Sequence, residues 1–106
     1  MSAFWREQLS RTFYDMIIHM HYVYILQSIN HPREIYIGST SKDPEVRLKE
    51  HNYGSTQYTA DMKPWRIVYY EAYLNSRDAH RRERKLKDYG NSLTHLKKRI
   101  SESLVS

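Results

Sequence analysis

The chain has 106 residues, no cysteine and a formal net charge of +5. That length suits one domain with one modest core. The lack of thiols excludes disulfides, thiolate metal centres and a cysteine nucleophile, and is expected of a cytoplasmic protein. Nothing reaches the ~20 apolar residues that span a bilayer, and Arg6, Glu7, Arg11 and Asp15 interrupt the N-terminus where a signal peptide would be apolar. Residues 1–19 carry Trp5, Leu9, Phe13, Met16 and Ile17 near helical spacing. Two expectations follow: an amphipathic helix that docks on the domain, on a protein partner or on a second copy, or an extension ahead of a translation start at Met20. Either way the domain proper is expected over residues 21–104.

Tyr22–Gln27 and Glu34–Gly38 are rich in Tyr, Val and Ile, with Asn30 and Pro32 between them. This is the pattern of a β-hairpin with a loop of about five residues. Setting Tyr24 opposite Tyr36 and Gln27 opposite Arg33 closes the register. Tyr22, Tyr24, Tyr36 and Gly38 then share one face and Val23, Ile25, Ile35 and Ile37 the other. Asp43-Pro44-Glu45 reads as a helix start, with Asp43 the cap, and the helix is expected to stop at Gly54. Arg47 and His51, four apart, lie side by side on it. Such a pair is ordinarily a solvated one, but a shared anionic target would explain it better than helix stability does. Residues 54–63 read as a polar loop and Trp65–Tyr73 as a third strand. Asn75 or Ser76 should cap a second helix running to about Tyr89. Ser92 should cap a third, with an apolar stripe of Leu93, Leu96, Ile100 and Leu104. The expected fold is α/β: a small three-stranded, mostly antiparallel sheet flanked by helices, in the order β-β-α-β-α-α.

Charge is concentrated late in the chain. Residues 1–76 balance eight basic against eight acidic side chains, whereas 77–99 hold nine basic and three acidic ones. Such a segment is either a solvated helix face or the footprint of a nucleic-acid partner. Arg81, Arg84, Lys85, Lys97 and Lys98 are the candidates for contacts to the nucleic-acid backbone. Glu83 is the informative residue. It falls between Ala79 and Leu86 on the buried stripe, where a carboxylate must be partnered. Lys87, four residues on, could pair with it, and a divalent cation with water in its other positions could satisfy it directly.

Taken together, Tyr22-Val23-Tyr24, Tyr36-Ile37-Gly38, Arg47 to His51, Pro64-Trp65 and the stretch around Glu83 resemble the GIY-YIG nuclease superfamily. The likeness is to its small stand-alone bacterial branch, related to the N-terminal domain of the excinuclease C subunit. It covers about residues 21–104. The resemblance implies a DNA endonuclease, in repair or recombination, that uses one Mg²⁺ or Mn²⁺ ion. The catalytic residues it implies are Tyr24, Tyr36, Arg47, His51 and Glu83, with Glu83 as metal ligand. Tyr36 is the first choice of general base, with His51 a relay or the base itself. Tyr22 stands where the name-giving glycine would be, and Ser41 lengthens the interval from Tyr36 to Arg47 by one residue. Asn91 is a candidate for an asparagine that many relatives carry after the glutamate. DNA is the expected partner ahead of RNA, with no membrane. The rival reading is a non-catalytic nucleic-acid-binding domain on the same fold.

Overall fold

A computed structural model describes residues 20–88 and 90–105. The helix expected over residues 1–19 and the end expected at Tyr89 lie outside the described residues. Strands β1 (His21–Ser28) and β2 (Ile35–Thr40) are followed by helices α1 (Pro44–Tyr53) and α2 (Gln57–Ala60). Strand β3 (Trp65–Tyr73) and helices α3 (Ser76–Lys87) and α4 (Asn91–Arg99) complete the order. The sheet is antiparallel throughout, ordered β2-β1-β3, so β2 is an edge strand. Among the described residues no helix is long and apolar enough to cross a membrane.

The hairpin register differs from the expected one. Tyr24 pairs with Gly38, Leu26 with Tyr36 and Gln27 with Ile35. The cause lies in the loop: Ser28 N–H donates to the Glu34 carbonyl at 3.0 Å and Glu34 N–H to the His31 carbonyl at 2.8 Å, which moves the pairing by two residues. A shift of two preserves the alternation of side chains, so both faces keep the residues assigned to them.

Each face buries a core. Val23, Ile25 and Ile37 meet Ala79 and Leu86 of α3 and Leu93, Leu96 and Ile100 near α4. On the opposite face Tyr24, Leu26 and Trp65 pack with Tyr36, Leu48, Met62 and Ile67. Each aliphatic side chain buried in this way contributes roughly 1.5–3 kcal/mol. The aromatic face is therefore core as well, although its polar tips are retained.

The helix ends follow local chemistry. Asp43 accepts from Glu45 N–H, Pro44 opens α1, and Gly54 closes it at φ 90°, a left-handed conformation that suits glycine. Asn75 caps α3 by accepting from Arg77 N–H. The expected cap at Ser92 is not formed: α4 begins two residues earlier than that cap implies, at Asn91, with Gly90 in the cap position and no side-chain bond there. The polar loop after Gly54 contains a helical turn, α2, that was not anticipated.

Helix α3 is held between the outer strands by two neighbouring side chains. Arg82 Nε donates to Glu71 of β3 at 2.7 Å, and Glu71 also accepts from the hydroxyls of Tyr69 and Tyr73. Glu83 faces the other way, towards β2. At the far end of the sheet, Gln27 bonds both backbone groups of Val105 and accepts from Arg66, which ties down the last described segment.

Candidate active site along the β2 edge

The site begins with a glycine. A Cβ on Gly38 would sit 2.7 Å from Tyr24 Cζ and Oη and 2.8 Å from Tyr36 Cε1. Only glycine lets the two rings close over β2 at this point. The Tyr24 hydroxyl then reaches His51 Nε2 at 2.7 Å, while the ring of Tyr36 packs on His51 with centroids 4.8 Å apart.

His51 is fully buried, and its protonation follows from its neighbours. Its Nδ1 lies 2.8 Å from Thr59 Oγ1, whose own hydrogen goes to the Thr56 carbonyl. Thr59 must therefore accept from Nδ1–H, which leaves Nε2 as the acceptor for the Tyr24 hydroxyl. Burial, and next the positive charge of Arg47, push the His51 pKa down to about 4, so the ring is neutral at neutral pH. Burial, reinforced by Tyr36, raises the Tyr24 pKa strongly, and the nearby Arg47 only partly offsets this. Tyr24 is a protonated phenol whose proton already points at a base.

Trp65 explains why Thr59 is in place. Its indole N–H donates to the Thr59 carbonyl at 2.8 Å, and its backbone is clamped to Asn52 of α1 by two hydrogen bonds of 2.6 and 2.9 Å. Pro64-Trp65 therefore acts through α2 on the histidine. Thr59 carried no signal in the sequence, since it lies in a stretch that reads as loop.

Arg47 is half-buried beside this cluster. It donates to Glu50 at 3.2 Å and to Thr56 at 3.4 Å, and Glu50 also takes Lys42 at 2.7 Å. Arg47, Lys42, Ser39, Thr40, His21 and His80 surround a polar depression of about 310 Å³. The extra residue at Ser41 is absorbed in the turn, where Lys42 N–H bonds Thr40 Oγ1.

Glu83 approaches β2 from the opposite face of the sheet. Ser39 Oγ donates to its Oε1 at 2.9 Å and Lys87 Nζ pairs with its Oε2 at 3.0 Å. The i,i+4 pair weighed against a metal in the sequence is thus formed. Its side chain is only 17% exposed, so the carboxylate does not swing into solvent. His80, Glu83 and Lys87 recur at i, i+3 and i+7, one stripe of α3 laid along the edge of β2. Among the described residues no group of three His, Asp or Glu side chains could hold a metal. At the β2 edge Glu83 offers one carboxylate, whose Oε2 becomes open to a cation when Lys87 leaves it. That donor set fits a hard cation whose other positions are filled by water and phosphate oxygens.

Of the expected phosphate contacts, Arg84 flanks the His80–Lys87 stripe. Arg81 and Lys85 lie on the outer side of α3, and Arg81 pairs with Asp78 at 3.1 Å. Lys97 and Lys98 are exposed on α4, and Asn91 is exposed at its first residue. Apart from Arg84, these side chains do not lie beside that stripe. Ser39, Thr59 and Lys87 do belong to the site and were absent from the expected set. Only Lys87 had a signal, its spacing from Glu83.

The model of the GIY-YIG catalytic domain matches residues 20–97. The chain is also 40% identical over 65 residues, 60% of its length, to the UPF0213 protein CPE1444 of Clostridium perfringens (strain 13 / Type A), of which those residues make up 67%. No solved structure matches it at a significant level. A match running from the start of β1 into α4 takes in the whole sheet and the helices on both its faces, and with it the chain belongs to the GIY-YIG catalytic domain family, a family of nucleases.

Proposed function

We propose that the chain is a metal-dependent endonuclease that hydrolyses phosphodiester bonds of DNA, in repair or recombination. The observation that carries this reading is the Tyr24–His51–Thr59 chain of hydrogen bonds opening beside Arg47, with Glu83 held at the adjoining strand edge. Hydrolysis joins a water oxygen to phosphorus, breaks one P–O ester bond and leaves an alkoxide to be protonated.

The attacking water must lose a proton. Tyr24 accepts it as it passes its own proton to His51 Nε2, so no free phenolate is needed. The neutral imidazole, whose pKa is about 4, carries that proton only in passing, and Thr59 holds the Nδ1–H and so keeps the ring in the accepting tautomer. The histidine bond goes to Tyr24 and not to Tyr36, which supports Tyr24 as the base and leaves Tyr36 to orient the water or the phosphate. The Arg47 guanidinium, with donors beyond those spent on Glu50 and Thr56, binds a non-bridging oxygen. Glu83 would hold the Mg²⁺ or Mn²⁺ ion, which when bound neutralises the phosphoryl oxygens and the leaving alkoxide. Lys87 has to leave one carboxylate oxygen when it does so.

Nicking of supercoiled plasmid with Mg²⁺ or Mn²⁺ tests this. Glu83→Ala, Tyr24→Phe and Tyr36→Phe should each lower the rate by at least about 100-fold. The Glu83–Lys87 pair, which satisfies the carboxylate with no cation, favours the rival of a binding-only domain. That rival wins if wild type nicks with neither metal while all four proteins retard DNA equally.

A further inference from the structure

Below the polar depression, the outer edge of β2 borders a second cavity of about 450 Å³, lined by Ile35, Tyr36, Ile37, Tyr58 and Lys87. Its volume is that of a small-molecule pocket, and the reaction proposed above leaves it unused. Its walls are two aliphatic side chains and two aromatic rings. Tyr58 is 81% exposed on the short α2. Among the described residues its hydroxyl makes no hydrogen bond. The Tyr58 and Tyr36 centroids are 5.9 Å apart with their planes at 52°, so the rings open as a wedge and do not cover each other. The single charge on the lining is Lys87, 3.0 Å from Glu83.

We propose that this wedge takes an unpaired nucleobase next to the scissile phosphate, which makes a single-stranded or flapped strand the preferred substrate over continuous duplex. The inference rests on the nuclease reading and names its substrate class. A flat aromatic ligand suits apolar walls bounded by two rings, and stacking on tyrosine accepts any base because every base has a π face. Bases inside a duplex have both faces covered by their neighbours, so only one that has left the stack can lie on Tyr58. The charges agree. The strand carrying that base brings a phosphate to the rim, where Lys87 can exchange its contact with Glu83 for one with a phosphate oxygen. The same exchange frees the Glu83 oxygen at the moment substrate arrives. The base subsite and the cleavage site therefore meet at one side chain.

The test measures binding, in EDTA so that nothing is cut. Fluorescence anisotropy of a labelled short oligothymidylate is compared with that of a blunt hairpin duplex, for wild type, Tyr58→Ala and Tyr58→Phe. Tyr58→Ala should weaken oligothymidylate binding by about 5- to 150-fold, the worth of stacking one base. It should leave duplex binding unchanged, and Tyr58→Phe should behave as wild type. An equal loss on both ligands, or no loss on the oligothymidylate, overturns the proposal. Because Tyr58 is so exposed, its removal does not threaten the fold. Failure of the nuclease reading looks different: no plasmid is nicked, yet the Tyr58 effect on binding persists.

Discussion

Acidification from pH 7 to pH 5 should weaken this fold through His51, and the amount can be worked out. In the unfolded chain a histidine titrates near 6.5, whereas buried beside Arg47 this one titrates at about 4. Between those values the unfolded state binds a proton that the native state refuses. Stability therefore rises with pH across the window, is fully present above about 6.5 and is lost as the pH falls towards 4. For one such group the loss between pH 7 and pH 5 is about 2 kcal/mol. In a domain of this size that lowers the melting temperature by about 8–15 °C. Calorimetry of wild type and His51→Gln at both pH values measures it. The glutamine variant, unable to titrate, should start lower at pH 7 because it fills the Tyr24–Thr59 gap less well, and should show a much smaller drop. A wild-type melting temperature that is flat between pH 7 and pH 5 would refute the reasoning, as would an equal slope in the variant. Glu71 does not confuse the result. Burial pushes its pKa up, but the bonds from Tyr69, Tyr73 and Arg82 outweigh this and hold it below the ordinary carboxylate value, so its contribution fades at lower pH.

Two further substitutions probe the site's construction. Gly38→Ala forces apart two rings that cannot yield freely, since Tyr24 is 1% exposed and tied to His51. It should cost about 1–3 kcal/mol in urea unfolding and slow plasmid nicking, and a neutral outcome in both would mean that the rings do not close over this residue. Ser39→Ala removes one of the two donors on Glu83 and should destabilise by only about 1 kcal/mol. Its larger effect should be on nicking, with the midpoint Mn²⁺ concentration raised; unchanged metal dependence would show that Ser39 does not orient the carboxylate.

Much of this architecture is legible in the sequence because local rules decide it. Asp43-Pro44 and Gly54 bound α1, and Asn75 opens α3, through chemistry confined to a few residues. Alternation assigns the faces of the hairpin, and a 3.6-residue period puts Glu83 between Ala79 and Leu86. What the sequence hides depends on distant groups. The hairpin register is settled by hydrogen bonds inside the 28–34 loop. The bond from Tyr24 to His51 goes with that register, which sets Tyr24 opposite Gly38, where the missing Cβ leaves room for its ring. Thr59 becomes a site residue only because Trp65 draws its segment inwards, and no pattern within residues 54–63 could reveal that.

The two halves of the site hang from opposite faces of one strand, and this sets where the chain can lengthen. Tyr36 and Ser39 are an odd number of residues apart, so β2 sends the first towards His51 and the second towards Glu83. One residue inserted between them would reverse that parity, carrying Ser39 to the tyrosine side and leaving Glu83 without its donor. One residue added beyond Thr40 has no such effect: Ser41 lies in the bend before Asp43, and Arg47 still donates to Glu50 and Thr56 beside the tyrosine–histidine cluster. Length in the turn after Thr40 is free to drift, while the count of residues within β2 is locked by an even–odd rule that no single contact imposes.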